Sequence, residues 1–329
     1  MGGAGFSHQL KRDPETLPVA TIIRRAFDLG LRAIDTSPYY EPSETLLGAA
    51  LADPTVAEAY PRDQYVLMTK VGRITADKFD YSPSWVRQSV ERSLQRLRTS
   101  YLDVVFCHDV EFVSVDAVVT AVGTLFELVA EGHIRHVGVS GYPIEVLVDI
   151  ARRVRAVYGR PLDIVQNWAQ LTLQNSTLEQ EGFAQLREQG VRIVCSSSPL
   201  ASGLLRANGV PQGSLGDWHP APAGLRAAAK QAADWVAGRG DSLAALSLRY
   251  ALSRAHRASE GSDDFTVRTI SGVSSLAEVE QNILAARAIL RTSHPDGLSA
   301  DDELDEEAER RDLPLYEEVR RILGPWKQK

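Results

Sequence analysis

Short apolar segments alternate with longer amphipathic segments along most of the chain. The longer segments place hydrophobic residues three and four positions apart, as in Val86, Val90, Leu94 and Leu97. Short apolar runs are typical of buried strands, and the wider spacing is typical of helices that pack on a sheet. Repeated β-α units of this kind predict one parallel sheet covered by helices.

The number of predicted strands is close to eight, which indicates an α/β fold of the (β/α)8 or TIM-barrel type. We expect a shortened first strand near residues 2–6, a second strand around Ile34, and further strands over 65–69, 102–107, 134–139, 162–166, 191–195 and 265–270. Helices are expected over 18–29, 84–98, 115–131, 144–157, 177–189, 243–254 and 276–290. Because the first strand is short, its two neighbours should have unpaired edges.

Two segments depart from this alternation. Residues 199–224 are rich in Gly, Pro and Ser and predict a long loop, which an Ala-rich helix follows at about 224–237. Loops of this length inside a domain are usually functional, and we expect this one to cover a cofactor. From residue 291 the chain becomes strongly acidic. The sequence therefore predicts a barrel over 1–290 and a partly disordered tail over 291–329, with a short helix at about 315–323.

Composition narrows the class of protein. Hydrophobic residues make up 44% of the chain and charged residues 24%, and the net charge is −7. These values favour a soluble globular protein and argue against nucleic-acid binding. Cys107 and Cys195 both lie in apolar runs, so we expect buried thiols and neither a disulfide nor a metal site. With no membrane-length apolar run and no secretory leader pattern, we expect a cytoplasmic monomer or weak homodimer.

Polar residues follow three of the predicted strands. Asp35 and Tyr40 come after the strand at Ile34, Lys70 ends the next strand and His108 ends the third. Parallel barrels place their chemistry at this end of the strands. A tyrosine is a poor acid near neutral pH, but a lysine ammonium within hydrogen-bond distance lowers its pKa. The set therefore predicts proton transfer to or from a carbonyl oxygen, although each residue alone is more typical of a cap, core or surface position.

The motifs around these four residues resemble the aldo-keto reductases. The family's Asp, Tyr, Lys and His match Asp35, Tyr40, Lys70 and His108 within D-T-S-x-x-Y, "YVLMTK" and "YLDVVFCH". The strings "AIDTSPYYEPSETLLG", "TKVGRI", "SYLDVVFCHDVEFV", "VGVSGYP" and "SSSPLASGLL" resemble more narrowly the family's NAD-linked D-arabinose and L-galactose dehydrogenases. The similarity covers about residues 3–290. It implies a (β/α)8 barrel, here with a shortened first strand and N-terminal hairpin.

The resemblance also implies a reaction and an NAD site. Hydride would move between NAD(H) and the anomeric carbon of an aldose, giving a lactone, with Tyr40 as the general acid or base. Ser140, Gly141, Gln166 and Asn167 match residues that bind the nicotinamide amide, although the family's Asn is Gly141 here. Ser197 stands where the family has a tyrosine that stacks on the nicotinamide. The other expected cofactor contacts are Ser198, Leu200, Ser202 and Gly203 in the long loop, and Gly272, Ser274, Glu278, Gln281 and Asn282 near the last helix.

The choice between NAD and NADP depends on two of these positions. NADP-linked relatives have a Lys and an Arg where this chain has Gly272 and Glu278. A carboxylate repels the 2′-phosphate and accepts hydrogen bonds from ribose hydroxyls, which favours NAD. The alternative is that Glu278 only begins a helix, where its charge interacts favourably with the helix dipole.

Substrate residues are less specific. Trp85, Asp109 and Trp168 lie near strand-end loops, as do Glu111 and the pair Trp218-His219. Aromatic faces stack on sugars and carboxylates accept their hydroxyls, which suits a polyol, but packing at the barrel rim is an equal alternative. Two other functions stay open: reduction of aldehydes or ketones in secondary metabolism by the same residues, and a non-catalytic barrel subunit that binds the cofactor.

Overall fold

The computed structural model of the chain describes residues 1–211, 213, 216–262, 264–292, 298–299 and 302–326. Its centre is a seven-stranded parallel sheet in which consecutive strands are neighbours. The predicted strands are confirmed, with shifts of a few residues at their ends. They are β1 (Ala33–Asp35), β2 (Val66–Val71), β3 (Leu102–His108), β4 (Ile134–Gly141), β5 (Ile164–Trp168), β6 (Ile193–Ser197) and β7 (Thr266–Ile270).

One residue closes the sheet into a barrel. Gly2 forms parallel bridges with Asp35 in β1 and with Gly272 after β7, and the carbonyl oxygen of Met1 accepts a hydrogen bond from Asp35 N at 2.9 Å. The (β/α)8 barrel is therefore confirmed, with its first strand reduced to this position. The predicted strand is wrong beyond Gly2, because Gly3–Phe6 forms a 3-10 helix. The edges of β1 and β7 are partly paired through Gly2. The prediction that both edges are unpaired is therefore wrong at this position.

The two faces of the sheet bury separate apolar clusters. Successive side chains of a strand point to opposite faces, so Val104 and Phe106 face the barrel interior, whereas Val105 and Cys107 face the helices. A Cβ on Gly138 would lie 2.6 Å from the Phe106 ring, so only glycine leaves room for that ring. The interior cluster fills the barrel below the polar strand ends. It contains Met68, Val104, Phe106, Ile164, Cys195 and Ile270.

The helices surround the barrel. Several begin at a serine whose hydroxyl accepts a backbone N–H, as Ser82 and Ser242 do, which satisfies a donor that the helix itself leaves unpaired. No helix in the described residues is long and apolar enough to cross a membrane. The helices are α1 (Val19–Asp28), α2 (Ser43–Leu51), α3 (Pro54–Ala57), α4 (Pro83–Leu97), α5 (Val115–Ala130), α6 (Ile144–Tyr158), α7 (Phe183–Glu188), α8 (Ala223–Ala237), α9 (Leu243–Ser259), α10 (Leu276–Arg287) and α11 (Glu306–Leu323).

Three helical segments differ from the sequence prediction. The sequence did not predict α2 or α3, because α2 is short and apolar on most sides and so lacks a clear helical period. The single helix expected over 177–189 is a π-helical turn, Leu178–Gly182, that continues into α7.

The acidic tail is more ordered than predicted. The last helix begins at Glu306 instead of about residue 315, and Pro314 lies inside it. Asp305 caps it by accepting hydrogen bonds from the next turn, and the acidic residues that suggested disorder lie in its first turn, where they favour the helix dipole. The prediction of disorder is therefore wrong for residues 302–312. Its parts at 293–297, 300–301 and 327–329 lie outside the described residues.

A second apolar core joins the long loop to α11. Tyr316, Val319 and Leu323 of α11 belong to one buried cluster with Leu204 of the loop and residues of α8 and α9. A buried ion pair supports it, because Arg249 Nε in α9 donates to Asp312 Oδ2 in α11 at 2.5 Å. The last helix therefore packs against the segment that follows β6 and helps to hold it in place.

Candidate active site

A buried ion pair connects the ends of the first two strands. Lys70 Nζ donates to both carboxylate oxygens of Asp35, at 2.8 and 2.9 Å, and to the carbonyl oxygen of Thr36 at 2.9 Å. An ammonium has three N–H donors, so all of them are used. Gln166 Nε2 donates to the same carboxylate at 3.1 Å. The charge of Lys70 is thus compensated inside the barrel, where it is 2% exposed.

The histidine at the end of β3 is buried beside this pair. His108 Nδ1 lies 3.1 Å from Ser37 Oγ, and its ring meets the Tyr40 ring edge to face, with the centroids 5.6 Å apart. Burial lowers the pKa of His108 to about 4, so its imidazole is neutral at neutral pH. The Tyr81 hydroxyl donates to the carbonyl oxygen of His108 and so fixes this strand end from behind.

The tyrosine differs from the sequence prediction in its acidity. Burial raises the pKa of Tyr40 well above its usual value, and the carboxylates of Asp35 and Asp109 raise it further. The pKa is therefore shifted upward, opposite to the direction that the sequence predicts. Lys70 Nζ is 5.3 Å from the ring centroid of Tyr40, and its three N–H groups already bind other oxygens. Tyr40 is consequently a neutral phenol that can donate a proton.

An arginine that the sequence analysis overlooked lies next to the histidine. Arg73 Nη1 donates to Asp109 Oδ2, its Nη2 donates to the Tyr39 hydroxyl at 3.2 Å, and its guanidinium carbon lies 4.0 Å from the centroid of that ring. We expected the Asp109 carboxylate to accept substrate hydroxyls, but it already accepts from Arg73. The available signal was the basic residue in "TKVGRI", three positions after Lys70.

The end of β5, next to β4, leaves two hydrogen-bond acceptors without partners. Ser140 pairs in register with His108 on one side and Gln166 on the other. Gln166 Oε1 and Asn167 Oδ1 are buried with no hydrogen-bond partner among the described residues, whereas Asn167 Nδ2 donates to Gly141 O and Tyr142 O. Unpaired buried acceptors are uncommon because they cost free energy. A ligand carboxamide, which offers N–H donors, fits this arrangement.

The segment after β6 has a strained backbone. Ser198, Ala201 and Ser202 have φ values of 58°, 47° and 55°, in the left-handed region that non-glycine residues rarely adopt. Such strain is often found where a backbone is shaped around a ligand. Leu200 and Gly203 complete this turn, and Ser198 N donates to Ile270 O at 3.2 Å. The turn therefore lies at the mouth, beside the end of β7.

The long loop is tied down from within. His219 Nε2 lies 3.0 Å from the carbonyl oxygen of Ala201, and Ala221 N donates to His219 Nδ1 at 3.1 Å. Because Nδ1 is an acceptor, Nε2 is the donor, and His219 is a neutral structural residue. Arg226 Nη2 adds a bond to the carbonyl oxygen of His219 at 2.9 Å. Of the pair considered for substrate, Trp218 remains largely exposed.

Glu278 has a structural role at the start of α10. Its backbone N donates to Ser275 Oγ at 3.2 Å, while its Oε2 accepts from Ser274 N at 2.6 Å and from Ser274 Oγ at 2.8 Å. This reciprocal arrangement resembles a capping box, so the helix-start alternative has direct support. Nearby, Asn282 Nδ2 donates to Ser271 Oγ at 3.2 Å. Gly272 and Gln281 are exposed.

Comparison with known proteins identifies the family. The model of the aldo/keto reductase family matches residues 1–294. The chain belongs to the aldo/keto reductase family. It is 41% identical over 255 residues to D-arabinose 1-dehydrogenase of Saccharomyces cerevisiae, covering 77% of this chain and 74% of the relative. It is 35% identical over 270 residues to L-galactose dehydrogenase of Arabidopsis thaliana, covering 81% and 77%.

Solved aldo-keto reductase structures share the fold. An aldo-keto reductase from Bacillus halodurans, in its holo form, superimposes with a TM-score of 0.62 at 22% identity, covering 96% of this chain and 90% of that one. A glycerol dehydrogenase from Gluconobacter oxydans gives a TM-score of 0.65 at 22% identity, covering 100% and 93%. Membership in the family makes this chain an oxidoreductase of a class that uses nicotinamide cofactors.

The two tryptophans considered for substrate lie in different places in this aldo-keto reductase. Trp168 ends β5, pairs in register with Ser197 and packs on Tyr142 with the ring centroids 4.6 Å apart, so it lies at the barrel mouth. Trp85 lies in α4 and its ring contacts Arg92 of the same helix, with the guanidinium carbon 4.4 Å from the centroid. That contact favours the packing alternative for Trp85.

Proposed function

We propose that this aldo-keto reductase is an NAD-dependent aldose dehydrogenase that oxidises the anomeric carbon of a sugar to a lactone. The main support is one juxtaposition at the barrel mouth. The rings of Tyr40 and His108 meet beside the buried Lys70–Asp35 pair, and the unpaired Gln166 acceptor belongs to a side chain that hydrogen-bonds the same carboxylate. The names of the two curated relatives supply the sugar class.

Ser140, Gln166 and Asn167 would hold the carboxamide of the nicotinamide ring. When bound, the oxidised cofactor supplies the hydride acceptor. The Tyr40 oxygen takes the proton of the anomeric hydroxyl while the C1–H electron pair departs as hydride and the C1–O bond becomes a carbonyl. Neutral His108 donates a hydrogen bond to the oxygen on C1 of the sugar. The Lys70–Asp35 pair keeps a fixed charge distribution beside the phenol.

Reduction of a small aldehyde or ketone is the second candidate, and the raised pKa of Tyr40 favours it. The raised pKa keeps the phenol protonated at neutral pH, which suits a proton donor. In the oxidising direction the reactive form is the phenolate, whose fraction grows with pH. We therefore expect the oxidation rate to rise with pH from neutral to about 10, whereas the reduction rate should change little over the same range.

We propose that Glu278 makes the enzyme prefer NAD to NADP. The capping contacts hold its carboxylate in place. Two like charges about 4 Å apart repel by roughly 4 kcal/mol at an effective dielectric near 20, before salt screening. Each 1.4 kcal/mol is a tenfold change in affinity, so a preference of at least about tenfold is expected even after screening.

Titration of both cofactors by quenching of tryptophan fluorescence tests this preference. Glu278→Gln is the informative variant, because glutamine also forms a capping box but has no charge. It should narrow the preference and leave thermal stability nearly unchanged, and Glu278→Arg should narrow or reverse it. Equal dissociation constants for NAD and NADP in the parent protein would contradict the assignment.

The activity itself is tested by incubating the protein with NAD and a panel of aldoses while following absorbance of the reduced cofactor. D-arabinose and L-galactose should be among the sugars oxidised, with a lactone as product. Activity only with aldehydes or ketones and a reduced cofactor would favour the second candidate. Absence of turnover in both directions would contradict both.

A further inference from the structure

We propose that Ser37 is a positioning residue that keeps the imidazole proton of His108 on Nε2, the nitrogen that faces the reaction. The inference rests on the proposed function, because it concerns the donor to the reacting oxygen. Ser37 is the third residue of the D-T-S-x-x-Y motif, and both side chains are buried, at 1% and 4% exposure.

The hydrogen bonds of the Ser37 hydroxyl determine the direction of the contact. Its Oγ lies 3.1 Å from His108 Nδ1 and 3.1 Å from the backbone N of Tyr39. The backbone N–H can only donate, so Oγ accepts from Tyr39. If Nδ1 also carried a proton, Oγ would accept twice and its own proton would have no acceptor among the described residues. Donation from Ser37 to an unprotonated Nδ1 satisfies all three groups.

The proton of the neutral ring is then on Nε2. Its acidic neighbour is Asp109, whose Oδ2 lies 3.5 Å away, at the limit of a hydrogen bond. The same oxygen accepts from Arg73 Nη1. Arg73 therefore competes for this carboxylate, and the Nε2–H remains available to a substrate oxygen next to Tyr40.

The other tautomer would turn a lone pair of Nε2 toward the lone pairs of the reacting oxygen, which is repulsive. Without the hydroxyl of Ser37, the two tautomers would compete. The position of the ring should persist, because it still packs edge to face against the rings of Tyr39 and Tyr40. Loss of Ser37 should thus change the tautomer more than the geometry, and we expect kcat to fall about 10-fold, the scale of one lost hydrogen bond.

Long-range ¹H–¹⁵N spectra of protein labelled in the histidine rings distinguish protonated from unprotonated nitrogens, and His108→Gln assigns the signals. The parent protein near neutral pH should have a protonated Nε2 and an unprotonated Nδ1 at His108. Ser37→Ala should show partial protonation of Nδ1 and the lower kcat, with the dissociation constant for NAD unchanged. Ser37→Thr keeps the hydroxyl and should restore both properties.

Ser43→Ala is the matched control. Ser43 is also buried, and its hydroxyl donates to the carbonyl oxygen of Gly3 at 2.9 Å and lies 2.9 Å from the Thr36 hydroxyl, with no hydrogen bond to the imidazole. This variant should lower thermal stability, because it loses two buried hydrogen bonds. It should leave the His108 spectrum unchanged and kcat within about twofold of the parent, because neither bond involves the imidazole.

Two results would overturn the proposal: a proton on Nδ1 of His108 in the parent protein, or a Ser37→Ala protein that keeps the parent's spectrum. The spectrum needs no turnover, so the two hypotheses fail separately. A separate outcome is a protein that turns over no sugar or carbonyl while the proton is on Nε2 in the parent and partly on Nδ1 in Ser37→Ala. That result would support the role of Ser37 and contradict the proposed function.

Discussion

The two halves of the barrel mouth differ in how completely their polar groups are paired. At the ends of β1 to β3, Lys70 uses all three of its N–H groups, and Ser37 contacts both His108 and the backbone of Tyr39. At the end of β5, Gln166 and Asn167 each leave a buried oxygen without a partner among the described residues. Apart from Glu111 Oε2 after β3, which also lacks a partner among the described residues, the first half is therefore fixed before any ligand arrives, whereas the second lacks donors.

This difference separates two contributions to activity. A fixed, desolvated set of charges and donors can stabilise a transition state without rearranging, so changes in the first half should reduce both turnover and stability. An unpaired acceptor lowers the stability of the free protein and gains a partner on binding. Changes in the second half should therefore affect ligand affinity with little loss of stability.

The largest expected effect is on turnover in Tyr40→Phe. The ring keeps its packing on His108 but loses the proton that it exchanges, so kcat should fall by roughly 10²–10⁴-fold. The dissociation constant for NAD should barely change. A steady-state assay of sugar oxidation measures the first quantity and fluorescence titration the second. Turnover within a few-fold of the parent would show that Tyr40 is not the acid-base group.

The next effect is on stability in Asp35→Asn. This change leaves the Lys70 ammonium buried without its counter-charge, and breaking such a pair typically costs about 3–5 kcal/mol of unfolding free energy. Asp312→Asn is a matched control, because Asp312 of α11 pairs with buried Arg249 of α9 and neither residue lies at a strand end. Both variants should unfold at lower denaturant concentration, but only Asp35→Asn should also lose turnover. Equal activity in the two variants would remove the distinction between the regions.

A pH dependence of stability should follow from His108. Its pKa is near 4 in the folded protein and near 6.5 when exposed, so between these values the unfolded chain binds more protons. The free energy of unfolding should therefore fall as pH decreases from 6.5 to 4, by about 3 kcal/mol for a pKa difference of this size. Urea unfolding at several pH values measures the slope. His108→Gln should have a shallower slope; identical slopes would show that His108 does not cause it.

The smallest effect is expected for Gln166→Met in the other half. The change removes an unpaired buried oxygen together with one of the three side-chain hydrogen bonds that the Asp35 carboxylate accepts, so the melting temperature should stay close to that of the parent. The carboxamide of NAD would lose an acceptor, and affinity should fall about tenfold, the scale of one hydrogen bond. Unchanged affinity by fluorescence titration would mean that this oxygen does not contact the cofactor.

Residue order at the strand ends was enough to predict the barrel and to bring Asp35, Lys70 and His108 together, because side chains at the carboxyl ends of parallel strands converge whatever the details of packing. The acidity of Tyr40 was not predictable in this way. It depends first on the burial of the phenol and then on the carboxylates of Asp35 and Asp109. The protons of Lys70 already have acceptors, and Thr36 supplies the third through its backbone, which no side-chain motif encodes.

Longer-range contacts account for the other differences. The pairing of Asp109 with Arg73 requires two strand-end loops to meet. The two residues are far apart in the sequence, so no local pattern predicts their contact. The sequence does not distinguish the start of α11 from disorder, because a run of acidic residues is equally typical of a solvated tail and of a capped helix. Burial of Asp312 and Tyr316 against α9 decides between them, and that depends on tertiary packing.

The proposed reaction is tested most directly by following the hydrogen on the anomeric carbon. The parent enzyme is incubated with NAD and with D-arabinose or L-galactose deuterated at C1, and the products are analysed by mass spectrometry. The reduced cofactor should contain one deuterium, and a lactone should form in equal amount. Reduced cofactor without deuterium, or no reduction with any aldose, would contradict hydride transfer from the anomeric carbon.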